Sequence, residues 1–450
     1  NGVIPSLTDT LNEGANEVLF DTDATVQESS AFYHVNNIHD HMADVLPSFT
    51  GMDNSLAINV DRNDGDCNAF YDGASINFYL EGNNCYSLAL LSDVVYHEYG
   101  HGINNVFYQQ NGGSFTNGGM NEGYADVWAF SLSLNPVLAE GWQITSPNSF
   151  IRQYNADPKV YPVDIVGEVH ADGEIIAGAW WDTYVNLGND MELTMDLFAE
   201  AYPGLQADVP NGEEGIAFRN VLLDVLAADD DDANLLNSTP NGPAIAEAFR
   251  RHGITLISGF DVIHAPVEVS AQNTEITIDA TAAVSSDLDP YVQGVAVRYR
   301  INNGAWEELP MAAIGGDNYQ VTIPGQPAGT VIAYYVGLVD INGVLSGVTP
   351  VGADQPDPNL PNFILVGYDL QLTEDVDNNN QLGDWDLGLP SDNNTTGTWV
   401  LSEPEPTFSS VDNSLIQTGS QHTPGGEYCF FTENGNDPNT PGEADVDGGN

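Results

Sequence analysis

The sequence predicts a multidomain chain: an α+β domain, mostly helical around one polar cluster, followed by two all-β modules. Three observations carry this. At 450 residues the chain is long for one domain and suggests about three. In the first half, Leu88, Leu91, Val94 and Val95 have the spacing of a buried helix face. From Pro266 onward the spacing changes, and Val295, Val297, Tyr299 and Ile301 alternate up to an Asn303-Gly304 turn, a strong hairpin signal. The expected units are 1–259 for the helical domain, 266–348 for a sandwich, 349–363 for a linker and 364–450 for a partial all-β module.

The polar cluster rests on two short strings. His97-Glu98-Tyr99-Gly100-His101 places two histidines four apart, hence on one face of a helix where both imidazoles reach one metal ion. Glu98 lies one step round and reaches a water on that ion. Twenty residues on, Asn121-Glu122-Gly123-Tyr124-Ala125-Asp126 brings Glu122 as a third ligand on a later helix. Three protein ligands with one open position is the arrangement of catalytic zinc. Gly100 and Gly102 are poor helix formers inside a helix, expected where something approaches closely.

These residues resemble the thermolysin-type zinc endopeptidases, and most closely the fungalysin branch, whose third ligand sits in a Gly-Gly-Met-x-Glu-Gly-x-x-Asp context. The chain reads Gly118-Gly119-Met120-Asn121-Glu122-Gly123-Tyr124-Ala125-Asp126. The resemblance implies a thermolysin-like α+β catalytic domain, Glu122 as ligand, and Asn121 and Asp126 holding the two ligand histidines from behind. Such partners fix the tautomer and raise ligand basicity. The spacer from His101 to Glu122 is nearer thermolysin's than that of fungal members, which bears on the loop between them.

Three further segments extend the resemblance. Asn68-Ala69-Phe70-Tyr71, followed by alternating Ile76, Phe78 and Leu80, reads as an edge strand and turn and is similar to a thermolysin strand whose backbone pairs with substrate. This implies that Asn68 and Ala69 bind peptide through main-chain bonds, whatever its sequence. Arg152 resembles an arginine that contacts the substrate carbonyl, although its spacing to Asp157 is off by one; a surface ion pair is the other reading. Val169-His170-Ala171-Asp172-Gly173-Glu174 is similar to the fungalysin Val-His-Ala-x-Gly-Glu segment, which implies His170 as donor to the oxyanion of peptide hydrolysis. Glu168 and Asp164 are both candidates to orient it.

The rest of the chain bears structural readings. His34, His39 and His41 lie off one line and are expected to pack rather than bind metal. Cys67 and Cys85 bracket a hairpin and are expected to form a disulfide worth about 3 kcal/mol, while Cys429 has no obvious mate. Asp229-Asp230-Asp231-Asp232 follows an apolar helix and reads as a solvated loop with calcium as the minority alternative. Asp375-Val376-Asp377-Asn378-Asn379 is half of a calcium loop without its glycine and closing glutamate. The 266–348 strands are similar to a fibronectin type III sandwich and carry no catalytic constellation. The four prolines of 350–361 suggest a stiff linker. The last module is expected to bind carbohydrate or protein.

Composition narrows the partners. Sixty-six acidic residues face eight basic ones, of which only Lys159 is a lysine, giving a net charge of −58. Nucleic acid and anionic membranes are poor partners for such a field, and no segment is long and apolar enough to span a bilayer. Proteins and peptides remain as substrates, acted on by a monomer. The start at Asn1, without methionine or leader, is expected of a processed, secreted chain. Two rival readings share the metal motif. A gluzincin aminopeptidase would carry a Gly-x-Met-Glu-Asn string, which is not seen; an adhesin with a relic site would have a broken ligand or base, and none is broken. Self-repulsion at this charge points to a saline or marine setting. The melting temperature is therefore expected to rise between low salt and about 0.5 M salt, and a flat profile in a thermal scan would rule the saline adaptation out.

Overall fold

The computed structural model describes residues 23–82, 84–204, 208–258, 260–350, 352–354, 360–369, 387, 398–405, 407–408, 415–417 and 427–432. The chain divides into two units: Asn1–Leu235 with Thr239–Ile254, and Leu236–Ser238 with Thr255–Asn450. Each is considered by itself.

In the first unit Thr25 and Glu28 form a reciprocal capping box that starts helix α1, Val26–Val45. Its histidines pack, as expected. His34 Nδ1 shares a hydrogen bond with Tyr96 Oη at 2.9 Å, and His41 Nε2 with Ser131 Oγ at 2.8 Å. Strands β1 (Ala57–Arg62), β2 (Ala69–Tyr71) and β3 (Ser75–Tyr79) form a sheet in the order β1-β3-β2, so β2 lies at an edge. Ile76 and Phe78 are fully buried, whereas Leu80 falls beyond β3 and is 46% exposed. A disulfide joins Cys67 and Cys85.

Five longer helices follow: α2 (Ser92–Gln110), α3 (Gly118–Ser133), α4 (Val169–Asn186), α5 (Met191–Ala201) and α6 (Glu214–Asp229), with the short α7 (Gly242–Arg251) after them. The apolar spacing that begins at Leu88 is not all α2, because Leu88–Leu90 form a separate 3₁₀ turn. Side chains from three-residue-distant backbone accept the first N–H groups elsewhere: Asn117 caps α3 and Glu168 caps α4. Trp128 of α3, Trp180 of α4 and Phe198 of α5 meet edge to face in a fully buried aromatic core joined by Tyr124 and Tyr202.

Glycines set how closely the central helices cross. A Cβ at Gly100 would lie 3.0 Å from Ala125 Cα, bringing α2 onto the backbone of α3, as the glycine in the sequence suggests. A Cβ at Gly173 of α4 would lie 2.7 Å from Gly119 O and 2.9 Å from Gly123 N, both backbone atoms of α3.

The second unit is built on two larger sheets. One runs β10-β9-β13-β15-β7, with β14 also on β13; the other runs β11-β12-β8-β6. Here β6 is Phe260–Ile263, β7 Val269–Ser270, β8 Ile276–Val284, β9 Val292–Ile301, β10 Glu307–Pro310, β11 Ala312–Gly315, β12 Asn318–Ile323, β13 Thr330–Asp340, β14 Leu345–Thr349 and β15 Asn362–Val366. Alternate residues of both sheets, such as Ile278, Val297, Tyr334 and Val336, form one apolar cluster between them. The expected β9–β10 hairpin is present, but the left-handed residue of its turn is Asn302, with φ 54°.

The expected boundaries need correction. One edge of β13 is shared by two strands: β14 pairs with Val336–Val339 and β15 with Thr330–Tyr334. Residues 350–361 are thus an excursion between two strands of one sheet, not a linker between domains, and Asn362–Val366 belong to the sandwich rather than to a module starting at 364. The sheet edge won over the proline content because proline bars ladder donation only where it sits, and the strand starts just after Pro361. Beyond it, Trp399–Ser402 pairs with Cys429–Thr432 and Thr407–Phe408 with Leu415–Gln417. Asp375–Asn379, and most of the last expected module, lie outside the described residues.

Backbone cannot retreat as a flexible side chain can, so the Gly173 contact makes a sharp test. Gly173→Ala is expected to lose about 1–3 kcal/mol through overpacking, measured by denaturant unfolding; an unchanged midpoint would show that α3 and α4 part freely.

Candidate metal centre

Helical periodicity puts His97 and His101 side by side on α2, and the close crossing with α3 sets Glu122 against them. His97 Nε2 and His101 Nε2 are 3.0 Å apart; Glu122 Oε2 lies 3.3 Å from the first and Oε1 3.6 Å from the second. The outer nitrogens are already committed. His97 Nδ1 donates to Asp126 Oδ1 at 2.6 Å and His101 Nδ1 to Asn121 Oδ1 at 3.0 Å. Both Nε2 lone pairs therefore aim at the point that the carboxylate faces. Glu122 Oε2 makes no hydrogen bond among the described residues, despite its nearness to His97.

Such convergence of acceptors is repulsive without a cation. A tetrahedral ion about 2.0–2.1 Å from each ligand spaces the ligand atoms about 3.3–3.4 Å apart, close to the separations seen. The residues fit a zinc ion. Without the ion, a proton on His97 answers the same need for positive charge among these carboxylates. Burial disfavours charge on His97, but Asp126 and Glu122 outweigh it and push its pKa up to about 10. Burial, helped by His97, takes His101 down to about 4. Burial also opposes charge on Glu122, yet the histidines bring it to about 2.

Glu98 sits beside the cluster, 5% exposed, and its Oε2 is buried with no hydrogen-bond partner among the described residues. Burial pushes its carboxyl up to about 7. His170, half exposed at the start of α4, places Nε2 3.5 Å from Glu122 Oε1. Its Nδ1 contacts Glu168 Oε1 at 2.6 Å, which selects Glu168 over Asp164 as its partner. Asp164 instead accepts from the backbone N–H of Val160. The other Glu168 oxygen accepts from Ala171 N–H, so one carboxylate both caps the helix and holds the ring. Burial works to raise the Glu168 pKa, but these hydrogen bonds outweigh it and lower it.

Behind His97, Asp126 is a buried hub. Arg152 Nε donates to its Oδ2 at 2.6 Å and Nη2 to its Oδ1 at 2.9 Å, and the Tyr154 hydroxyl also donates to Oδ2. Arg152 is only 6% exposed, so the surface ion pair suggested by sequence is excluded. Behind His101, the Tyr202 hydroxyl donates to Asn104 Oδ1, and Asn104 Nδ2 donates to Asn121 Oδ1 at 2.9 Å. Sequence reasoning missed Tyr154, Asn104 and Tyr202. Only Asn104 leaves a local trace, as an amide at i+3 from His101 on an otherwise apolar helix face.

The edge strand meets α2 through Tyr71, which lies 3.6 Å from where a Cβ of Gly102 would stand; Asn68 and Ala69 lie just before it, facing β3 on one side. In the aspartate run, Asp229 is withdrawn, accepting from Thr239 Oγ1, Asn241 N and Asn241 Nδ2. Asp230, Asp231 and Asp232 group their carboxylates but are mostly exposed, and exposed acids alone do not make a calcium site.

Asp126→Asn removes the anion that His97 and Arg152 share. Zinc affinity is expected to fall about 10–100-fold, read by chelator competition; unchanged affinity would show that Asp126 does not support the ligand.

Residues 72–212 match the family model described as Fungalysin metallopeptidase (M36). No curated protein matches the chain. Among solved structures, a bromine derivative of BhCBM56 is 16% identical, with 20% of this chain and 82% of that chain covered and a TM-score of 0.15. TarS of S. aureus is 8% identical, with 90% and 68% covered and a TM-score of 0.12. At such scores neither likeness bears on fold or function. The matched family span contains His97, Glu98, His101, Glu122 and His170, and it supports a fungalysin-like metallopeptidase acting on proteins or peptides.

Proposed function

We propose that the chain is a secreted zinc endopeptidase. The observation that carries the reading is the convergence of His97 Nε2, His101 Nε2 and Glu122 beside a buried Glu98 oxygen with no hydrogen-bond partner among the described residues. His97, His101 and Glu122 would hold zinc, which would supply the Lewis acid that makes a water nucleophilic near neutral pH.

The protein's own groups do the rest. Glu98 accepts the proton that leaves the attacking water and returns it to the departing amide nitrogen. Its burial favours this shuttle, since a carboxyl raised to about 7 gains and loses a proton with little driving force either way. His170 donates to the carbonyl oxygen as negative charge develops there. Glu168 engages Nδ1, which holds the ring with Nε2 turned toward the cluster. The open edge of β2 offers backbone groups of Asn68–Tyr71 to an extended peptide. Arg152 steadies Asp126 behind His97, with its Nη2 3.5 Å from His97 Nδ1.

Secretion into saline surroundings is supported by the net charge and the disulfide. The sandwich of the second unit is read as a spacer or a binding module.

The test uses an internally quenched peptide blocked at its N-terminus. The native protein is expected to cleave it, and Glu98→Gln to retain full zinc while losing about 10²–10⁴-fold in rate. Cleavage only of unblocked peptides would favour an aminopeptidase; near-native cleavage by the variant would remove Glu98 from its role.

A further inference from the structure

The edge strand β2 is short, three residues from Ala69 to Tyr71. It pairs with β3 through Ala69, Phe70 and Tyr71, with Tyr79 N–H to Asn68 O and Asp72 N–H to Ser75 O at its two ends, and its other edge faces no strand among the described residues. Upstream of it, residues 63–67 make no backbone–backbone hydrogen bond among the described residues. Cys67, next but one to the strand, has φ 52°, a left-handed conformation that a β-carbon disfavours. A glycine would sit there more easily, so the cysteine is held for its sulfur.

The opposite end of the bond is firmly set. Cys85 is fully buried, and its neighbours are tied to a second segment: Tyr86 N–H donates to Trp142 O and Ile144 N–H to Asn84 O. Gly82 completes the fit, since a Cβ there would press to 3.1 Å on both sulfurs. The disulfide therefore connects a fixed anchor to the entrance of β2, where the preceding residues 63–67 have no backbone ladder of their own. From β2, the Tyr71 ring reaches Gly102, the residue after ligand His101.

We propose that the Cys67–Cys85 disulfide is a positioning clamp for peptide substrates. It keeps Asn68–Tyr71 in register against α2, so that a peptide paired along the open edge presents its scissile bond to Glu98 and the ligand histidines. The inference rests on the peptidase reading above. Neither sulfur bonds to the ligand helices, and the clamp acts on binding of extended peptide rather than on the metal or the proton shuttle.

The test compares the oxidised holoprotein with the Cys67→Ala/Cys85→Ala variant, and with native protein reduced by a phosphine. In the latter the phosphine gives two electrons to the S–S bond and takes its oxygen from one water, whose two protons go to the two thiols. Zinc content, hydrogen exchange and kinetics on a long blocked peptide are read together. Without the bond, KM is expected to rise roughly five- to tenfold while kcat stays within about twofold. Exchange at 68–71 should quicken, with α2 amides and zinc content unchanged. Reoxidation of the reduced protein should restore KM, which keeps the test valid if the double variant does not fold. Unchanged KM, unchanged exchange at 68–71, or loss of zinc together with faster exchange throughout α2 would each overturn the clamp. If the oxidised protein hydrolyses nothing although exchange at 68–71 still responds to reduction, the peptidase reading falls, and the substrate role of the clamp with it.

Discussion

The site exists because three helices come closer than side chains of ordinary size permit. Gly100 lets α2 lie on the backbone of α3 at Ala125, and Gly173 with Gly123 does the same for α3 and α4. A methyl group at any of these points would meet backbone or a ligand side chain. The two histidines are adjacent through helical geometry alone, but Glu122 and His170 meet them only across these crossings. Packing density here is what sets ligand separation.

A second constraint is electrostatic. In a chain with eight basic residues, one arginine is spent in the interior, on the carboxylate behind His97. A buried pair of this kind adds little net stability over apolar side chains of similar volume. Its use is orientation. Asp126 takes donors from His97, Arg152 and Tyr154, so neither the carboxylate nor the ring beneath it can swing. The burial that costs energy at Asp126 is also what sharpens the groups nearby, since Glu98 owes its raised pKa first to desolvation. Structure and reactivity draw on the same low dielectric.

Much of the centre was legible in the sequence because it obeys local rules. The spacing of His97 and His101 follows from 3.6 residues per turn, and Glu122 stands in a string that reads as another helix. The glycines also announced close approach before any neighbour was known. What stayed hidden depends on residues far apart in the chain. Tyr202 reaches Asn104 across 98 positions, and no periodicity reports such a bond. Glu168 and Asp164 were indistinguishable by distance along the chain; the turn at the start of α4 decides between them. The end of the sandwich was misjudged for a similar reason, since composition reports a proline-rich stretch but not that a strand returns afterwards to a waiting edge.

That returning strand has a consequence for how the chain comes into being. The 11 residues of β13 are buried along nearly their whole length, yet the backbone of their first half is satisfied on one side only by Asn362–Val366. During synthesis the central ribbon of the second unit emerges well before the piece that seals it. Until then Thr330–Tyr334 offers an apolar, open flank, the kind of surface on which nascent chains stick to one another. Any shortened form ending near residue 349 would carry that flank permanently.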